Sequence, residues 1–504
     1  MIEPPLSQWP SEPWRPASET LASLRQRAQD RLITESRRWL AALYQTEQRS
    51  VPEDLLIGTG PNPMVVMTGH QPVIFHPGLA AKYVVAESFT SQHQATAIAL
   101  IIDTDEGDAG ELQFPSAVTA SGSVTTRKSV STVSIATDSG LYHSSQLRSA
   151  SEREAVFSKA TKGLRDCGCA DEAARAEKIF RDYQKLKTTS TIAANTLIRR
   201  SHAIGGRMLE IPLSSVCNLP EVLLFFGAIL HKATDFHHCY NTSLDQFRTE
   251  HNIRNDANPF PNLKHSGDQF ELPFWVVNPA TGIREIVSLT TNNSERWLCA
   301  GGSRLTEMHR GLEMESLTAL MFQGLRLVPR GALITATLRL LFSDVFIHGT
   351  GGGRYDEFTD RLIQAWWNEQ PSPVSVVTTS QYLFEEQRQR FEKLQALNSQ
   401  LRDLQFNPQR YFGQGVFSTD NEQQLAQLVA QRDERVATMK SQRGKGQSGK
   451  QLGREIQQLN DQLKDTVAAL IAPSLQELQQ FDEATVKTLQ TRTWPWFYFD
   501  GIVV

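Results

Sequence analysis

The chain has 504 residues, with 51 Lys and Arg against 55 Asp and Glu and a formal net charge of −4. That balance argues against nonspecific binding to nucleic acid or an acidic membrane surface, and 40% hydrophobic with 21% charged residues is ordinary for a soluble globular protein. The five cysteines, with Cys167-Gly-Cys169 the one close pair, suit a reducing compartment better than a disulfide framework or a zinc site.

The start, Met1-Ile2-Glu3-Pro4-Pro5, has no basic n-region and no apolar h-region, so a signal peptide is not expected. No run approaches the ~18 apolar residues of a membrane span. The expectation is a cytoplasmic protein. Residues 1–60 read as a helical lead-in. Ser18 is placed to cap a helix through Leu21, Leu24, Ala28, Leu32, Trp39, Leu40 and Leu43, closed by Pro52 and the 58–63 Gly/Pro cluster.

Met64–Met67 is a short apolar β-type run that stops at Thr68-Gly69. From Gly78 to about Ser91, Leu79, Val84, Val85 and Phe89 are spaced for one helix face. Ala97–Ile102 is a second apolar run, ended by Asp103. Strand, loop, helix, strand is a βαβ unit, whose strands are parallel and whose crossover is right-handed. Both strands then end on one edge of the sheet, about 4.8 Å apart if neighbours. Gly69-His70-Gln71 leaves the first strand there. The acidic run Asp103-Thr104-Asp105-Glu106-Gly107-Asp108 leaves the second. Open α/β sheets bind ligands at that edge. Pro77-Gly78 opens the helix beside it, where free N–H groups suit an anion.

Farther along, 116–136 reads as one or two half-exposed strands and 151–205 as helical. Met208–Leu213 is a short strand, and helices follow from Pro220 to His231 and on to about Thr249. No pair among His231, His237 and His238 has i, i+4 spacing and nearby acidic ligands are sparse, which favours structural or surface histidines over a metal site. His251 to Gly267 is a long polar loop in which Arg254 and Asn255 are candidates for a polar ligand, a surface connection being the plainer reading. Phe270–Val277 and Ile283–Leu289 form a hairpin about Pro279–Gly282, expected in an inserted subdomain.

Gly331–Leu341 reads as a helix after Arg330 and Asp344–His348 as a strand. The run Gly349-Thr350-Gly351-Gly352-Gly353-Arg354 then leads through Tyr355-Asp356 into a helix, repeating the layout of the core. Glycines allow backbone to approach a ligand, although GxGxxG is not met. Gly351→Val or Gly352→Val is accordingly expected to weaken ligand binding with little change in Tm. Ser375–Thr378 is one more strand. From Gln381, a/d-type seams run through Leu394, Leu397, Leu401 and Leu404, then Leu425, Leu428, Val436 and Met439, then Ile456, Leu459, Leu463, Val467 and Leu470. They describe an antiparallel coiled coil turning near 441–448 and imply a homodimer. The 444–450 stretch GKGQSGK satisfies G-x-x-x-x-G-K, but Gln451 stands where Ser or Thr should be and no strand precedes it, so a hairpin turn is favoured over a P-loop. The aromatic tail from Trp494 is expected to dock on the body.

These motifs resemble those of the bacillithiol-biosynthesis cysteine-adding enzymes. Thr68-Gly69-His70-Gln71 is similar to that family's TGQQ-type strand end, and Phe75-His76-Pro77-Gly78-Leu79 to its helix start. Asp105-Glu106-Gly107-Asp108 stands for its acidic run, and Gly349–Gly353 with Tyr355 for its glycine loop. His70 replaces a Gln, Gly107 a His, and Gly353 a Glu, which points to a divergent member. His76-Pro77-Gly78-Leu79 also keeps the first His and the Gly of the HxGH motif of the wider nucleotidylyltransferase-like group. The resemblance implies an α/β fold with a Rossmann-like nucleotidylyltransferase-type core at 61–379, connecting segments inserted at about 110–210 and 250–300, a helical coiled coil at 380–490 and a docking tail at 491–504. The implied activity is ATP- or other nucleotide-linked addition of cysteine, or another amine, to a small-molecule acceptor such as a glucosaminyl-malate.

In that scheme His70 and His76 meet phosphate or developing charge, and Asp105 and Asp108 hold Mg²⁺ or a substrate ammonium. Gly69, Gln71, Gly78, Asp103, Glu106, Arg330, Gly349, Gly351, Gly352 and Tyr355 are the binding candidates, with Asp103 as a turn cap and Tyr355 as packing the alternatives. Clustered carboxylates repel unless a cation lies between them. Asp105→Asn is therefore expected to leave stability unchanged or raised while weakening Mg²⁺-nucleotide or amino-acid binding. The rival readings are a non-catalytic coiled-coil scaffold with a decayed nucleotide fold, and a metal-dependent hydrolase using His76, Asp105 and Asp108, which lacks an HExxH-type ligand pair.

Overall fold

The structure is a computed structural model that describes the whole chain except positions 61, 120–125, 256, 279, 293–294 and 445–447. It is a mixed α/β protein whose chain divides into two compact units. One comprises 1–114, 131–381 and 492–504; the other comprises 115–130 and 382–491.

The first unit is built on a sheet in the order Ile2–Glu3, Val374–Val377, Val345–His348, Val65–His70, Thr96–Ile101, Leu209–Pro212. All neighbours are parallel except the antiparallel Ile2–Glu3 edge. The βαβ unit is present, with its helix over Pro77–His93. Its first strand runs on to His70, past the expected stop at Thr68-Gly69, because Gly69 and His70 still pair with Leu100 and Ile101. Alternate residues feed opposite faces. Val65, Met67, Ile98 and Leu100 enter one core cluster. Val66, Ala97, Ala99 and Ile347 enter another with Ala80, Ala81, Tyr83 and Phe89 of the helix. Burial on both faces is what a parallel sheet requires.

The Glu19–Thr46 helix is capped by the Ser18 side chain, which accepts from Leu21 N. It is not a separate lead-in: its buried Leu32, Leu40 and Leu43 belong to the cluster that holds Leu209 and Phe346. The expected hairpin is part of a larger antiparallel sheet, ordered Ser303–Glu307, Glu295–Ala300, Ile283–Asn292, Gln269–Asn278, Arg326–Pro329. Its expected turn includes position 279, outside the described residues. The tail packs within this unit. Trp494 is fully buried, Trp496 N donates to Phe75 O at 2.9 Å, and Tyr498 Oη donates to Gln113 O at 2.9 Å.

In the second unit, helices Leu401–Phe406, Thr419–Gly444 and Lys450–Leu478 share a core of Leu404, Phe417, Leu425, Val429, Leu463, Val467 and Ile471. Leu425, Leu463 and Val467 are seam residues of the sequence pattern, whereas Val429 and Ile471 fall outside it. The GKGQSGK segment joins two long helices, its 445–447 portion lying outside the described residues. No helix among the described residues is long and apolar enough to cross a membrane.

Candidate functional site

The strand order reverses beside Val65–His70. Thr96–Ile101 and Leu209–Pro212 lie to one side, Val345–His348 and Val374–Val377 to the other. Ile347 pairs with Thr68, so His348 and the glycine run after it leave the sheet next to Gly69-His70-Gln71. Such a reversal opens a crevice at the carboxyl ends of the strands.

Lys82, on the inner face of the Pro77–His93 helix, points to this edge. It is 3% exposed, and its Nζ donates to Gly69 O at 2.9 Å. Burial pushes the ammonium down to about 8. His70 Nδ1 lies 3.1 Å from Gln71 O, a contact that requires Nδ1–H and leaves Nε2 as an acceptor. Burial, and next the Lys82 charge, push this imidazole down to about 3. His76 is the N-cap of the helix, its Nδ1 accepting from Gly78 N at 3.1 Å. Its proton therefore sits on Nε2, a donor. Burial, then Arg492 and Lys82, take it down to about 4. One neutral histidine thus offers a lone pair and the other an N–H.

The free N–H groups expected at this helix start are already bonded. Pro77 has none, Gly78 N meets His76 Nδ1, and Leu79 N and Ala80 N donate to His76 O at 3.0 and 3.1 Å. The helix terminus therefore presents no unpaired N–H among Gly78, Leu79 and Ala80, contrary to the expectation of an anion site there.

The acidic run is engaged by the protein. Asp103, 1% exposed, accepts from Ser214 N at 2.9 Å, from Ser214 Oγ, and lies 2.8 Å from His143 Nδ1. Asp108 Oδ1 accepts from Gly110 N at 2.8 Å and Ser134 Oγ at 2.7 Å. Asp105 Oδ1 accepts from Arg284 Nη1 at 2.7 Å and its Oδ2 from Gln71 Nε2 at 2.9 Å. Glu106 lies 3.8 Å from the same Arg284. The cation between the carboxylates is therefore this arginine, delivered by the Ile283–Asn292 strand. The expected sign of Asp105→Asn reverses: stability should fall by about 1 kcal/mol, the scale of a partly exposed ion pair. A urea denaturation curve at least as stable as wild type would contradict this. Among the described residues, no cluster of three or more His, Cys, Asp or Glu is placed to hold a metal ion.

The other candidates divide between the edge and packing roles. Gly69 is confined, since a Cβ there would lie 3.0 Å from Leu100 Cβ and O. At Gly78 it would lie 2.9 Å from Thr379 O. Gly349 borders Lys82, whose Cδ would be 3.9 Å from an added Cβ. Thr350–Gly353 is a short helical turn rather than an open loop. Gly351 faces open space, but at Gly352 a Cβ would fall 2.4 Å from His348 Nδ1. Arg330 pairs with Glu271 and sits over Trp275, as does Arg284. Tyr355 is half-buried near Phe260, with ring centroids 6.0 Å apart. His231 pairs with Glu313 at 2.8 Å, and His237 Nε2 lies 3.1 Å from Leu263 O, so they serve separate contacts. Asn255 Oδ1 accepts from Ala257 N at 2.9 Å, a local turn.

Sequence reasoning missed Lys82, Arg284 and the His348–Asp356 pair, whose Nε2 and Oδ2 are 3.2 Å apart. The signal for Lys82 was available: a single lysine in the apolar run Gly-Leu-Ala-Ala-Lys-Tyr-Val-Val-Ala. Set against known proteins, the chain matches no family model and no curated sequence.

Proposed function

We propose that the chain is a nucleotide-dependent carbon–nitrogen ligase that joins cysteine, or another amine, to a small acceptor such as a glucosaminyl-malate. The observation that carries this reading is the parallel pairing of Val345–His348 with Val65–His70, which sets the Gly349–Gly353 run beside Gly69-His70-Gln71 at the strand-order reversal. In this reading the core is Rossmann-like and the nucleotide lies across that reversal. His76 Nε2–H donates to a phosphate oxygen, and the His70 Nε2 lone pair accepts a hydrogen bond that orients the incoming group. Gly351 lets backbone approach the phosphates. Mg²⁺ would arrive with the phosphates, since that ion keeps several waters and is seldom caged by protein alone. The Thr419–Gly444 and Lys450–Leu478 pair is then a coiled-coil arm of a cytoplasmic homodimer.

The test is thermal denaturation with ATP, ADP, AMP and GTP, with and without Mg²⁺ and L-cysteine, followed by mass spectrometry of mixtures containing glucosaminyl-malate. A rise in Tm with one nucleotide and a new amide mass are expected. No shift with any nucleotide would leave the scaffold reading instead. Light scattering at micromolar concentration should show twice the 56.5 kDa chain mass; a monomer would remove the dimer from the proposal.

A further inference from the structure

The least satisfied charge at the strand edge belongs to Lys82. An ammonium has three N–H donors. The one described hydrogen bond of Nζ goes to Gly69 O, and no carboxylate pairs with Lys82 among the described residues. The surrounding groups add positive or neutral character. Arg492 and Lys82 both act on His76, and His70 and His76 are neutral at pH 7. Asp105, which follows the neighbouring strand Thr96–Ile101, is taken by Arg284 and Gln71. A buried charge is ordinarily paired or bound to an ion of opposite sign. The glycine run borders the lysine stem at Gly349, and Gly351 is open.

We propose that Lys82 is the residue that holds a phosphoryl group at this edge, its two remaining N–H donors replacing the missing protein carboxylate with ligand oxygens. His76 Nε2–H supplies a second donor to the same anion. This rests on the nucleotide reading and deepens it, because it assigns the phosphate's counter-charge to a side chain of the helix and not to the helix terminus, whose first N–H groups are bonded. Free phosphate and the phosphates of a nucleotide share this chemistry, so both are probes.

The experiment titrates pyrophosphate and ATP, followed by calorimetry and thermal denaturation, into wild type, Lys82→Met and Lys82→Gln at pH 7.5. Without ligand, Lys82→Met should melt above wild type, because an apolar chain of similar length replaces an unpaired buried charge. Both variants should bind both probes about 10–100-fold more weakly, the range of a lost charge-assisted hydrogen bond. Lys82→Gln provides the binding comparison if the Met protein does not fold. Wild-type affinity for pyrophosphate in the variants would overturn the assignment. ATP binding that ignores Lys82 would overturn it while leaving the nucleotide reading in place. Binding of pyrophosphate through Lys82, with ATP no tighter, would uphold the assignment and remove the nucleotide. A wild type that binds neither probe would end both.

Discussion

Gly352→Val should lower stability sharply, whereas Gly351→Val should leave the fold intact and weaken nucleotide binding. The two glycines are adjacent in sequence and in one helical turn, yet their surroundings differ. A Cβ on Gly352 would lie 2.4 Å from His348 Nδ1, and one on Gly351 meets nothing within 4 Å. His348 has little freedom to retreat. Its side chain is 14% exposed, and its Nε2 lies 3.2 Å from Asp356, which also takes Arg339 at 3.1 Å. Forcing a β-branched side chain into that space costs about 1–3 kcal/mol by overpacking alone. Displacing His348 from the buried Asp356–Arg339 pair adds to it. The measurement is a urea curve and an ATP titration on each variant. Equal destabilisation by both substitutions would show that the turn is a folding element throughout. Wild-type ATP affinity in Gly351→Val would detach the glycine run from the ligand.

A second large effect should appear in acid. His70 and His76 are held down to about 3 and about 4, against about 6.5 for an exposed imidazole. In the unfolded chain both rings protonate as the pH falls through about 6.5, while in the native protein they stay neutral. The unfolded state then binds more protons, so stability is complete above about 6.5 and falls with pH, each ring approaching about 1.4 kcal/mol per pH unit. The loss ends at about 4 for His76 and about 3 for His70. Denaturation curves from pH 7.5 to 4.5 should show this slope. His76→Asn, which keeps an N-cap side chain, and His70→Gln should each flatten it. An unchanged slope in the double variant would mean that neither ring is held neutral by the fold.

Much of the frame was legible locally. Hydrophobic spacing located Val65–His70, Pro77–His93 and Thr96–Ile101. A βαβ unit leaves little choice of direction, so this local pattern by itself assigns Gly69-His70-Gln71 and the acidic run to one edge. Ser18 marked a helix start, because a hydroxyl before a periodic apolar run answers unpaired N–H groups. The strands Glu295–Ala300, Ser303–Glu307 and Arg326–Pro329 were not legible: they are short, and Arg326–Pro329 pairs with a segment tens of residues away.

What only tertiary structure decided was the fate of each charge. Asp105 reads as a free carboxylate until a strand about 180 residues later brings Arg284 to 2.7 Å. Asp103 reads as a ligand until Ser214 and His143 fold over it. Lys82 drew no reading from the sequence, and only the folded sheet buries it without an acidic partner among the described residues. Periodicity is a local property of the backbone and survives in the sequence. Charge compensation is set by distance and burial, which depend on residues far apart in the chain, and so it appears only once the chain is folded.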